Sequence, residues 1–245
     1  MEITNTEVWG FKHAIRGARN PLESWNKSDS KVTNFEHRWV ADTGCERSCY
    51  GYIKQDSCGI GTFKLGENDL HLMQKLILAG TDHRKFMRQI MVSVDITAPL
   101  YWWKEEETYK VGTTTNSTST MHKLATTPIT INCFEHDEDI EMEDYMLTTH
   151  MMFHSIINHC EKLRQKYLQT NDKKFWRVLI QLLPESWLQT RTVTMNYENL
   201  RNMYFARRNH KLQEWHTFCD WIETLPYGKE LICIEKENKD ANTQG

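Results

Sequence analysis

An extended segment that runs into a proline limits the architecture of this chain more than any other feature. Val92, Val94 and Ile96 alternate with polar residues, and the run ends at Ala98-Pro99. Period-two apolarity is the mark of a strand with one face on a core. Leu100 to Tyr109 then reads as a helix with Glu105, Glu106 and Glu107 in its middle. Beyond it, Thr113 to Thr120 places hydroxyls on both sides of Asn116. Donors and acceptors at every position point to a surface that holds a polar ligand, such as a phosphate or a base. A Thr- and Ser-rich edge strand is the plainer alternative.

The surrounding pattern predicts one α+β domain over residues 1–235 and a polar tail over 236–245. A first strand is expected over 3–12, a helix from His13 to Arg19 stopped by Pro21, and a loop over 20–34. Leu70, Met73, Leu76 and Ile77 recur at helical spacing, so Glu67–Ala79 is a helix with Gly80 at its C′ position. Asp144 to Thr170 is a long helix with Met151, Ile156 and Leu163 as its buried stripe. Lys173 to Leu183 is a helix stopped by Pro184, Thr190 to Thr194 alternates as a strand, and Asn199 to Trp221 reads as one last long helix.

Composition narrows the function. The 245 residues carry a net charge of −3, so no basic field points to nucleic acid. No segment approaches the ~18 apolar residues of a membrane span, and the N-terminus lacks the basic and apolar regions of a secretory signal. A cytoplasmic location is the expectation. Seven cysteines, an odd number in a chain this large, read as reduced thiols. Cys45, Cys49 and Cys58 cluster near His37 without zinc-finger spacing, and no metal site is assigned. His150 and His154 sit at i, i+4 without supporting ligand residues and read as core or interface histidines. The three glutamates read as a solvated helix face rather than as catalytic carboxylates.

In order, these landmarks resemble the flavin-dependent thymidylate synthase (ThyX) family over roughly residues 1–222. His13-Ala14-Ile15-Arg16 resembles the family's early A-A-R segment, and Asp69 to Gly80 its first long helix. The family's IxAP motif occurs as Ile96-Thr97-Ala98-Pro99. The signature R-H-R-x-x-S-x-N-E-x-S-x-R falls on Tyr109 to Met121, where Asn116 and Ser119 match and Thr114 stands in for the first Ser. Leu183-Pro184, Met195 to Leu200, then Arg207, Arg208 and His210 resemble the family's closing block. The departures are specific. Tyr109, Lys110 and Val111 replace R-H-R, Ser117 replaces the Glu, Met121 replaces the last Arg, and Glu198 stands where the closing block has Arg. Gln89 takes the place of the family's helix histidine.

The resemblance implies a mixed or antiparallel sheet packed with long helices and a homotetramer. It also implies FAD as cofactor, with methylenetetrahydrofolate and NADPH as co-substrates and dUMP or a related pyrimidine deoxynucleotide as substrate. Carried over by position, Lys110, Asn116, Ser117, Ser119 and Arg207 would bind the nucleotide, and Gln89, Asn196, Arg208 and His210 the flavin. The plainer readings are a solvated basic helix face for the arginines, a turn former for Asn196 and a structural role for His210. Loss of the signature's charges also leaves room for a protein of this fold that binds nucleotide without catalysis.

Overall fold

The structure is a computed structural model that describes residues 1–33, 39–40, 44–45, 62–137 and 144–236. In chain order the strands and helices are β1 (Glu2–Trp9), α1 (Phe11–Arg19), β2 (Lys31–Thr33), β3 (Trp39–Val40), β4 (Gly44–Cys45), β5 (Thr62–Lys64), α2 (Glu67–Ala79), β6 (Met91–Pro99), α3 (Leu100–Glu106), β7 (Thr114–Ser117), α4 (Thr120–Thr126), α5 (Asp144–Thr170), α6 (Lys173–Leu182), β8 (Leu188–Asn196), α7 (Tyr197–Arg207) and α8 (Gln213–Thr224). The main sheet has the order β1-β6-β8-β7, and every pairing in it is antiparallel.

The alternation of β6 sets the two faces of this sheet. Val92, Val94, Ile96 and Ala98 are buried, as are Val193 and Met195 of β8. They join one core with Trp102 and Trp103 of α3, Leu200 and Met203 of α7, and Trp215, Phe218 and Ile222 of α8. Register places Ser93, Asp95 and Thr97 on the other face, opposite Thr194, Thr192 and Thr190. There the side chains bond across the strands. The Ser93 and Thr194 hydroxyls are 2.5 Å apart and those of Thr97 and Thr190 are 2.7 Å apart. Thr192 and Asn5 both donate to the Asp95 carboxylate, at 2.5 and 2.7 Å. Such cross-strand polar pairs stabilise a sheet by about 0.2–1 kcal/mol each. The hydroxyl run after α3 becomes edge strand β7, with every residue exposed.

A smaller core lies under α4, α5 and α6, where Leu124, Ile157, Cys160 and Leu179 pack with Phe134 and Trp187. Two sequence expectations fail here and at the C-terminal end. Met151 is 65% exposed, and the buried apolar residues of α5 are Ile157 and Cys160. Ile156 and Leu163 are partly buried against this core as expected, and Met151 alone of the expected stripe lies outside it. The expected single helix from Asn199 to Trp221 is two helices, α7 and α8. His210 N–H closes onto the Arg207 carbonyl at 2.8 Å and His210 Nδ1 accepts from Leu212 N–H at 3.2 Å, so the chain turns there. Helical apolar spacing survives the break because both helices face the same core.

The Cys45, Cys49, Cys58 and His37 cluster lies outside the residues whose side chains are described. Among the described residues, no group of three metal-binding side chains occurs. No helix among them is long and apolar enough to cross a membrane.

Candidate functional site

The turn between α3 and β7 lies lengthwise on α7, and this contact assembles the site. At one end the Tyr109 hydroxyl accepts from Arg207 Nε at 3.0 Å. At the other, the Val111 carbonyl accepts from Asn199 Nδ2 at 2.6 Å. Gly112 lies between, with φ of +78°, and a Cβ there would sit 3.1 Å from Asn196 Nδ2 and 3.2 Å from Asn199 Oδ1. A left-handed backbone and a close approach both favour glycine at this position.

Glu105 is the hub. Its Oε2 lies 2.8 Å from Arg207 Nη1, accepts from Trp215 Nε1 at 2.9 Å, and is 3.4 Å from His210 Nε2. The Arg207 guanidinium also lies over the Trp215 ring, 4.9 Å from its centroid. A half-buried carboxylate thus holds an arginine and a histidine side by side against two aromatic rings. Cation–π contact and charge-assisted hydrogen bonds reinforce each other there.

The solvated-face expectation holds for Glu107, which is exposed, and fails for Glu105 and Glu106. Glu105 has just been placed, and Glu107 pairs with Arg191 at 2.6 Å. Glu106 is 3% exposed and its Oε1 has no partner among the described residues. Burial pushes its pKa up to about 7, Arg191 pulls it back in part, and Glu107 adds to the rise. A carboxyl whose native pKa lies above its unfolded value stabilises the fold at low pH. That contribution is lost as pH rises from about 4.3 through 7. Glu106→Gln is therefore expected to abolish most of the fall in stability between pH 5 and 8, of order 3 kcal/mol. Parallel stability–pH curves for the two proteins would contradict it.

The other residues singled out by resemblance divide clearly. Arg207 and His210 come together on Glu105. Asn196 caps α7, its Oδ1 accepting from the Glu198 and Asn199 N–H groups at 3.0 Å each, while the Asn199 side chain returns a bond to Asn196 N–H. Its Nδ2, beside Gly112, makes no hydrogen bond among the described residues. Lys110 is exposed in the α3–β7 turn, Asn116 and Ser117 are exposed on β7, and Ser119 Oγ accepts from His122 N–H at 3.3 Å at the start of α4. Arg208 leaves α7 in another direction, paired with Glu235 at 2.7 Å. Gln89 is exposed in the turn before β6, its side chain against Gly17, where a Cβ would come 2.6 Å from its Oε1.

Sequence reasoning missed one arrangement. Glu198, standing where the family pattern has an arginine, is 4% exposed. It is held by Arg84 at 3.3 Å and, in a second ion pair, by Arg88. Positive charge reaches this position from the turn before β6. The signal was Arg84 and Arg88 four residues apart beside a strand, readable only once Glu198 was known to be buried.

No protein-family model matches the chain, and no curated protein matches it. Solved structures do. Flavin dependent thymidylate synthase ThyX from Helicobacter pylori, complexed with FAD and dUMP, aligns over 96% of this chain and 100% of its own, with a TM-score of 0.62 at 15% identity. A second Helicobacter pylori structure, Thymidylate Synthase X (ThyX) with FAD and dUMP, aligns over 95% of this chain and 97% of its own, with a TM-score of 0.61 at 15% identity. The UMP/dUMP methylase PolB from Streptomyces cacaoi, bound with 5-Br UMP, aligns over 65% of this chain and 76% of its own, with a TM-score of 0.48 at 14% identity. Helices packed on an antiparallel sheet in this arrangement are the ThyX-like fold, and that is the fold of this chain.

Proposed function

We propose that this chain binds a pyrimidine deoxynucleotide and acts as a divergent flavin-dependent thymidylate synthase-like enzyme. It would move a one-carbon unit from a folate to C5 of dUMP or a related base. The observation that carries this reading is the Glu105 clasp, which holds Arg207 and His210 together where the turn into β7 begins. The Helicobacter pylori structures of this fold contain FAD and dUMP, and support the ligand classes by likeness alone.

Each residue has a chemical task in this reading. The Arg207 fork suits a planar or anionic partner and polarises a base carbonyl. Lys110 answers a phosphate as a point charge. Asn116, Ser117 and Ser119 offer it side-chain and backbone donors on an exposed edge. Asn196 Nδ2, without a hydrogen bond among the described residues, is a donor suited to a carbonyl of a flavin ring. Gln89, Asn196 and His210 are the residues proposed to hold FAD; Arg208, assigned the same task by resemblance, points away from them to Glu235 and is left out of this site. Bound and reduced by NADPH, that cofactor supplies the hydride that, with the methylene carbon of methylenetetrahydrofolate, makes a methyl group. Exposed Tyr145, Met151 and Met152 on α5 support the proposed homotetramer, and light scattering at the 29.1 kDa of one chain would count against it.

A second reading, nucleotide binding without catalysis, has its own observation. Arg207 and His210 already have Glu105 as a partner, and Val111, in place of a signature arginine, is 88% exposed. Calorimetric titration with dUMP tests the shared part. The wild type is expected to bind, and Arg207→Ala to bind about tenfold or more weakly through loss of a charged hydrogen bond. Equal affinity in the two proteins would remove Arg207 from the site. Methylated product from dUMP, folate and reduced flavin would then decide for the enzyme.

A further inference from the structure

A cavity of about 570 Å³ opens where the C-terminal end of α2 meets α7. Among the described residues, Arg84, Arg201, Arg208 and Lys236 line it against one carboxylate, that of Glu235. Arg201 and Arg208 share the Phe205 ring, their guanidinium carbons 4.5 and 4.8 Å from its centroid. The 201, 205, 208 spacing puts the three side chains on one stripe of α7. Arg207, one residue before Arg208, faces the Glu105 clasp instead, so this cavity is separate from that cluster.

The charges in the cavity do not balance. Arg208 has Glu235 at 2.7 Å, and Arg84 has Glu198 at 3.3 Å and Asn202 Oδ1 at 3.4 Å. Arg201 is 8% exposed, and its one hydrogen bond among the described residues goes to the Ile232 carbonyl. It has no carboxylate partner among them. Burial first, and then the charge of Arg84, pull its pKa down to about 10. Glu235 offsets this in part from a distance, but a buried guanidinium beside a like charge, with no carboxylate in ion-pair contact among the described residues, is costly unless something anionic enters.

We infer that this cavity is a binding site for the phosphate of a nucleotide-sized small molecule, in which Arg201 and Arg208 grip the phosphate and Arg84 and Lys236 complete its charge. Guanidinium forks match phosphate oxygens two at a time. The volume falls in the range of small-molecule sites and exceeds what inorganic phosphate alone would fill. Phe205 holds both forks in place before the ligand arrives, which lowers the ordering cost.

The test uses inorganic pyrophosphate and ADP as probes, by calorimetry and thermal shift, against sodium chloride of matched ionic strength. Both probes are expected to bind and raise the melting temperature beyond the chloride control. Arg201→Met and Arg208→Gln are each expected to weaken binding about tenfold or more. Arg201→Met should fold at least as well as the wild type without ligand, since it removes a buried charge that no carboxylate contacts among the described residues. If it does not fold, Arg208→Gln alone carries the test. No binding above the chloride control, or unchanged binding in the folded variants, overturns the site. Pyrophosphate binding should persist in Arg207→Ala, so this outcome is separable from the fate of the thymidylate synthase reading.

Discussion

Asp69→Ala is expected to destabilise the protein by about 3–5 kcal/mol, the usual result of breaking a buried ion pair from one side. Asp69 is fully buried at the start of α2. Its Oδ1 lies 2.6 Å from both Nε and Nη2 of Arg19, itself 5% exposed at the end of α1. Its Oδ2 accepts from the Ser28 and Ser30 hydroxyls at 2.6 Å each, and from the Ser30 and Asp29 N–H groups at 3.0 and 3.2 Å. One carboxylate thus joins α1, the following loop and α2. The alanine variant would leave the Arg19 charge buried and several donors without an acceptor. Removing both charges, as Asp69→Ala with Arg19→Leu, should recover part of the loss. Burial tends to raise the Asp69 pKa, but bonds from Ser28, Ser30 and Arg19 outweigh it and leave the value depressed. Its stabilisation is therefore present above the unfolded value of about 3.9 and lost as pH falls through the native one. Denaturant midpoints at pH 7 measure the effect, and a loss below about 1 kcal/mol would contradict this account of the α1–α2 junction.

Trp103→Ala should cost a comparable amount, about 3–5 kcal/mol, by opening a cavity at the centre of the main core. Trp103 is fully buried, meets Trp102 edge to face at a centroid distance of 4.8 Å, and has the Arg191 guanidinium 4.3 Å from its ring centroid. Its Nε1 donates to the Gln189 carbonyl at 2.9 Å, pinning α3 to β8. The neighbouring tryptophan provides the control, because Trp102 is also fully buried but its Nε1 has no partner among the described residues. Trp103→Phe should therefore lose more than Trp102→Phe, by about 1 kcal/mol, the net worth of one hydrogen bond. The reverse order would mean that the Gln189 bond does not hold α3 in place.

Long regular elements were legible in the sequence, and the contacts between them were not. The limits of α2 and α5 follow directly from apolar spacing, and Gly80, with φ of +120°, ends α2 as expected. The strand in front of Pro99 was equally plain, although β6 extends through the proline itself. The break between α7 and α8 was hidden because no Gly or Pro marks it, and the His210 side chain, accepting from the Leu212 N–H, turns the chain instead. Glu105 and Glu106 could not be read because their burial depends on what α7, α8 and Arg191 bring across the fold. Arg207 and Arg208 looked interchangeable in sequence. Their directions off α7 separate them, one to Glu105 and the other to Glu235.

The most direct test of the central claim is the visible absorption spectrum of the purified protein with FAD, before and after dUMP is added. The account predicts a bound-flavin spectrum that shifts on addition of the nucleotide. A protein that takes up no flavin, and whose spectrum dUMP leaves unchanged, would contradict the synthase-like function and leave only the fold in common with ThyX.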